Sequence, residues 1–163
     1  MVITPIVNDG RINRSKTTLN KIVAATISLL RKNNNGQIPT AQEIAVKSGV
    51  GIRTVFRHID DMEGLIEEVN RRYLNDLESY IAKNNPKQNS KDQRIEHVIK
   101  ERFYLYNTYQ HVFNLTITSL NNSSAIRTGF IKFNHILRQR FEDLIPEIKM
   151  INKDKQNLID TLI

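Results

Sequence analysis

Apolar residues return every three or four positions along most of the chain, and no stretch alternates apolar with polar as a half-buried strand would. Over residues 17–32, Leu19, Ile22, Val23, Thr26, Ile27 and Leu30 fall on one helical face, and Asn33-Asn34-Asn35-Gly36 then supplies residues that tolerate a left-handed helix end. Thr40 followed by Glu43 forms a capping box that opens a short second helix, which Ser48-Gly49 ends. A third short helix is expected over residues 51–57. Asp60 and Glu63 form a second box before a long fourth helix, whose stripe of Met62, Leu65, Ile66, Val69, Tyr73, Leu77, Tyr80 and Ile81 reaches about residue 82. Pro86 marks a loop over residues 83–92. Beyond it the spacing predicts helices over 92–109, with Ile95, Val98, Ile99, Phe103 and Tyr106 inward, over 111–121, and over 124–144, with Ile126, Phe130, Phe133, Leu137 and Phe141 inward. Residues 154–163 are again helical in pattern. The expected fold is all-α, and its units are a flexible basic arm (1–16), a three-helix head (17–61) and, from a long fourth helix onward, a helical body (62–163).

The 163 residues suffice for a small head and a larger body. With no cysteine, the chain has no disulfide, thiolate metal site or cysteine nucleophile. No run approaches the roughly 20 apolar residues that a bilayer requires, and residues 1–20 have no apolar core of the signal-peptide type. The expectation is a cytoplasmic protein with no membrane partner.

The net charge of +7 is unevenly placed. Residues 1–57 hold nine Lys and Arg against Asp9 and Glu43, so nine minus two accounts for all of it, while residues 58–163 hold fifteen bases and fifteen acids. A basic block at one end attracts a polyanion, most often nucleic acid.

The two short helices give this charge a shape. Joined through Lys47-Ser48-Gly49-Val50, they form the core of a helix-turn-helix unit. Gly49 suits a position of positive φ, Val50 plugs the angle, and Ile44, Ala45 and Val55 fill a small core against Ile22 and Ile27. A helix of this width fits the major groove, N-terminal part toward the bases. Gly51, Ile52, Arg53 and Thr54 then approach base edges, with Arg53 able to give two hydrogen bonds to guanine and Thr54 able to meet a phosphate or a thymine methyl. Phe56, Arg57 and His58 follow a turn later, Arg57 and His58 better placed for phosphates, while Thr40, Ala41 and the free amides of the second helix offer another phosphate site.

Residues 18–65 resemble the DNA-binding domain of the TetR family of bacterial transcriptional regulators. The matching residues are Ile22-Val23-Ala24-Ala25 with Leu29, Thr40-Ala41-Gln42-Glu43-Ile44-Ala45, Ser48-Gly49-Val50-Gly51, Thr54-Val55-Phe56-Arg57-His58-Ile59, and Glu63 with Leu65. The resemblance implies a helix-turn-helix head and a helical ligand-binding and dimerisation body. It also implies a homodimer on a near-palindromic operator, acting as a repressor released by a small-molecule effector. The alternative is a DNA-binding regulator with no effector, controlled by abundance or a protein partner. The chain departs from the family at three positions: Phe56 replaces a tyrosine whose phenol touches phosphate, Met62 replaces a phosphate-binding lysine, and Arg53 replaces a common glycine. Family dimers form through the last two helices. This chain stops within the first of them, which implies a truncated C-terminal end.

In such a body, Phe103, Tyr106, Phe113, Thr116, Phe130 and Phe133 are candidates to line an effector pocket, with Thr118, Asn121 and His135 as further polar candidates. The four histidines, His58, His97, His111 and His135, include no pair at metal-binding helical spacing, and no nucleophile-and-base motif stands out. The expectation is a protein with no catalytic site, no metal and no cofactor.

Overall fold

The computed structural model describes residues 10–58, 62–86 and 89–150, and these are helical or in short connections, with no strand among them. Six α-helices follow in order: α1 (Gly10–Asn33), α2 (Ala41–Ser48), α3 (Ile52–His58), α4 (Met62–Lys83), α5 (Lys91–Ser119) and α6 (Ser124–Leu144), before a 3-10 turn at Pro146–Met150. The all-α expectation holds. The calls on residues 1–9, on the cap at Asp60 and on a helix over 154–163 lie outside the described residues.

The head condenses on α1, which packs against α2, α3, α4 and α5. Ile22, Ile44 and Val55 are fully buried, with Val23 and Ala45 nearly so, as their spacing predicts. Helix α1 begins at Gly10, although its apolar stripe begins only at Leu19. Its first turns lie on the surface, and Thr17 and Thr18 return their hydroxyls to the carbonyls of Asn13 and Arg14. The expected flexible arm is therefore helical from residue 10 onward. Periodicity misses this because a solvated helical extension buries nothing.

Helix α4 packs on α1 and on α6, with Leu65, Ile66, Val69, Tyr73 and Leu77 buried. Glu63 reaches across to another helix: its carboxylate accepts from Ala125 N at 2.9 Å and Ser124 Oγ at 3.0 Å, and so caps α6. Those bonds, the one from the Ala125 amide foremost, hold its carboxyl below the usual range. An acid at a helix start is stabilised wherever its sequence position lies.

The expected break between residues 109 and 111 is a kink, not a loop. Helix α5 runs continuously, with Tyr109 alone in a non-helical conformation (φ −110°, ψ 17°). It opens on a capping box between Ser90 and Gln93. Its first half turns a different face inward from the one its apolar residues mark. Val98, Glu101 and Leu105 are buried, whereas Ile95, Ile99, Phe103 and Tyr106 are exposed. The physical reason is an ion pair: Glu101 meets Arg140 of α6 at 3.2 Å with both residues buried, and Arg140 also donates to Asn84 O. A paired buried charge holds a helix face inward while reading as polar in the sequence.

The head is docked on the second half of α5. Asn114 Nδ2 donates to Asn34 O and Asn34 Oδ1, both at 3.0 Å, and Thr118 donates to Gly36 O. Gly36 has φ +72°, and a Cβ there would stand 2.6 Å from Asn114 O. Glycine is required both by its backbone and by the closeness of α5. Nearby, Tyr73 OH and His111 Nε2 share a buried hydrogen bond of 2.7 Å between α4 and α5.

Candidate nucleic-acid interface and body cleft

The turn between α2 and α3 is built as its residue types require. Gly49 adopts φ 67°, ψ 20°, the left-handed conformation that ends α2. Ser48 Oγ accepts from Val50 N at 3.3 Å and donates to Ala45 O, closing the turn locally. Gly51 O accepts from Thr54 N and Val55 N and so starts α3, while Val50 packs on the core beneath.

Val55 is the buried residue of α3 and fixes which side faces out. Arg53 and Arg57, four positions apart, share the opposite, exposed face. Neither has an ion-pair partner among the described residues. Ile52 is 38% exposed and Phe56 58%, so an apolar edge runs beside the two guanidinium groups. Gly51 is exposed with open space over it, and Thr54 is half-buried at the flank. His58 is also half-buried.

The start of α2 differs from expectation in one respect. Glu43 Oε2 accepts from both Thr40 N and Thr40 Oγ1 at 2.8 Å, while Glu43 N donates to Thr40 Oγ1 at 3.3 Å. These bonds from Thr40 hold the Glu43 carboxyl below its ordinary range. The Thr40 hydroxyl donor is therefore engaged within the helix cap. The amides of Ala41 and Gln42 are the ones left open toward solvent, as the first turn of any helix leaves them.

Between α4, α5 and α6 lies a narrow cleft with a free volume of about 40 Å³. Four of the six expected pocket residues line it: Phe113, Thr116, Phe130 and Phe133. Phe103 and Tyr106 do not. They are 71% and 54% exposed on the face of α5 that the Glu101–Arg140 pair turns outward. Thr118 instead bonds Gly36, Asn121 accepts from Arg127, and His135 is exposed. Sequence reading missed Asn70, Tyr73, Tyr109 and Gly129 in the lining. Gly129 had a signal of its own, a lone glycine inside an otherwise unbroken stripe. It leaves room for Asn70 to cross α6 and donate to Ala125 O at 2.8 Å.

Five of the twelve lining residues are aromatic, and their rings meet edge to face: Tyr73 with Tyr109, Tyr109 with Phe133, and Phe113 with Phe133. Behind it, burial first and the nearby positive charge of Arg31 second lower the pKa of His111 from 6.5 to about 4. The histidine is thus neutral near pH 7 and shares its ring nitrogen with Tyr73, whose own pKa is raised, chiefly by burial. No helix among the described residues is long and apolar enough to cross a membrane. Comparison with protein-family models, with curated proteins and with solved structures finds no match to this chain.

Proposed function

We propose that this chain is a DNA-binding transcriptional regulator of the TetR type, a repressor whose head inserts α3 into the major groove and whose body binds a small-molecule effector. One observation carries the reading: α3 is fixed by a single buried residue, Val55, and presents Arg53 and Arg57 together on its opposite face, with no ion-pair partner among the described residues. Exposed guanidinium groups on one face of a helix suit guanine edges and phosphates. Arg53, in the first turn, reads bases, and Arg57 meets the backbone. Phe56 offers an apolar contact alone, since a phenyl ring has no hydrogen-bonding group. The open amides of Ala41 and Gln42 hold a further phosphate.

The homodimer carries two such heads, set about 34 Å apart to match successive major grooves. An effector in the aromatic cleft favours a conformation with a different spacing, and operator affinity falls. The ring-to-ring contacts of Phe113, Phe133 and Tyr109 also suit a solid core, which favours a second reading without an effector. Selection of bound duplexes from a random pool tests the main reading. It is expected to enrich near-palindromes with half-sites one helical turn apart. Failure to retain duplex of any sequence at low salt would sink it.

A further inference from the structure

A second positive surface lies between α1 and α4, and no residue of α3 lines it. Lys21, Ala24, Ser28 and Arg31 follow at steps of three and four residues, so they share one side of α1, turned away from the fully buried Ile22 and Thr26. Arg72 and Asp76, one turn apart on α4, line the same groove. The groove is open and has a free volume of about 680 Å³. Small-molecule sites typically hold about 300–1,000 Å³. Three cations thus accompany one acid, and Lys21, Arg31 and Arg72 have no ion-pair partner among the described residues. Asn20 and Ser28 add an amide and a hydroxyl, and neither side chain has a hydrogen-bond partner among the described residues. Val23, Ala24 and Ile27 supply the apolar part of the lining.

We propose that this groove binds a phosphorylated small molecule of nucleotide size. Its phosphate oxygens meet the guanidinium groups of Arg31 and Arg72 and the ammonium of Lys21, arginine through its planar fork and lysine as a point charge. Its neutral part rests on Val23, Ala24 and Ile27, and the Asp76 carboxylate accepts from a hydroxyl or amino group there. Asp76 also favours a small ligand over a nucleic-acid backbone, whose evenly repeated phosphates would bring one against this carboxylate. Lys21 and Arg31 stand ten positions apart. That is about 15 Å along the axis of α1, so a ligand lying along the groove engages both more readily than a lone phosphate ion. The site also touches the joint between head and body, since the charge of Arg31 acts on the buried Tyr73 and His111. It does not depend on what α3 binds.

Calorimetric titration of the full chain with ATP, GTP and coenzyme A is expected to show saturable binding of at least one. Inorganic phosphate is expected to bind at least tenfold more weakly. Lys21→Gln combined with Arg72→Gln, both at exposed positions, is expected to weaken the bound compound at least tenfold with helix content unchanged. Lys83→Gln, which removes an exposed cation at the end of α4, is expected to leave its affinity as it was. Amide exchange in the bound chain is expected to slow over residues 20–31 and 72–76. No saturable binding of any of the three compounds would overturn the proposal. So would equal affinity for inorganic phosphate, which reduces the groove to an anion contact, or equal weakening by Lys83→Gln. A double variant that keeps the compound would overturn it too, and if that variant loses duplex DNA instead, the groove is a nucleic-acid contact. A chain that passes these tests yet ignores duplex DNA would end the regulator reading and leave this one standing.

Discussion

The head and the body resolve opposite problems. In the head the apolar residues are inside and the cations are outside: Ile22, Ile44 and Val55 are fully buried, while Arg53 and Arg57 stand exposed with no ion-pair partner among the described residues. In the first half of α5 the arrangement is reversed. Glu101 and Arg140 are buried together, and Ile99, Phe103 and Tyr106 face out. Each region thus leaves a different chemistry unsatisfied. On the described residues, exposed positive charge marks the first region, and exposed apolar surface marks the second.

The largest expected effect breaks the body's half of this contrast. Arg140→Leu leaves the buried Glu101 carboxylate with His97 Nε2, at 3.3 Å, in place of its arginine and should cost about 3–5 kcal/mol in urea unfolding. Glu101→Leu combined with Arg140→Leu should recover most of that loss. If the single and double variants are equally unstable, the pair does not orient α5.

Next comes the joint between the regions. Gly36→Ala combines a left-handed backbone with a methyl group pressed on the Asn114 carbonyl, and should cost roughly 2–4 kcal/mol. Hydrogen exchange should show faster opening in residues 110–119 and in the end of α1. A neutral outcome would mean that the head is not held by α5.

The head's half of the contrast is probed by Arg53→Ala. It should weaken binding to the selected operator by about 1–3 kcal/mol and relax preference at one position. Arg57→Ala should weaken all sequences alike and lower the salt dependence. Equal losses for Arg53→Ala on operator and random DNA would move Arg53 to the phosphates.

A pH dependence is set by His111. Its folded pKa, about 4, lies below the ordinary 6.5, so the unfolded chain binds more protons between those values. Stability should therefore be fully present above pH 6.5 and decline as pH falls toward 4. Urea midpoints across that window should show the decline, and His111→Gln should flatten it. An unchanged slope in the variant would place the titration elsewhere.

Much of the head was legible in the sequence because its signals are local. The Thr40–Glu43 box, the stop at Gly49 and the single inward residue Val55 each act within a turn or two, and the structure builds all of them. Which surface they leave exposed follows almost automatically, so the expected contacts Gly51, Ile52, Arg53, Phe56 and Arg57 do lie exposed there, with Thr54 half-buried at the flank. Two others differ: Thr40 gives its hydroxyl to Glu43, and His58 is half-buried. The body was less legible because its decisive interactions are distant. Glu63 caps a helix sixty-two positions away at Ala125, and Glu101 turns its helix by meeting a residue thirty-nine positions on.

Sequence by itself determined that this chain would be helical, where its head would turn, and where its positive charge would gather, because capping, periodicity and composition depend on near neighbours. Only the tertiary structure decided which face of α5 is inside, which aromatic residues share a cleft, and how the head sits on the body. Those outcomes depend on pairing buried charges and filling space between segments far apart in the chain, and residue spacing carries no record of either.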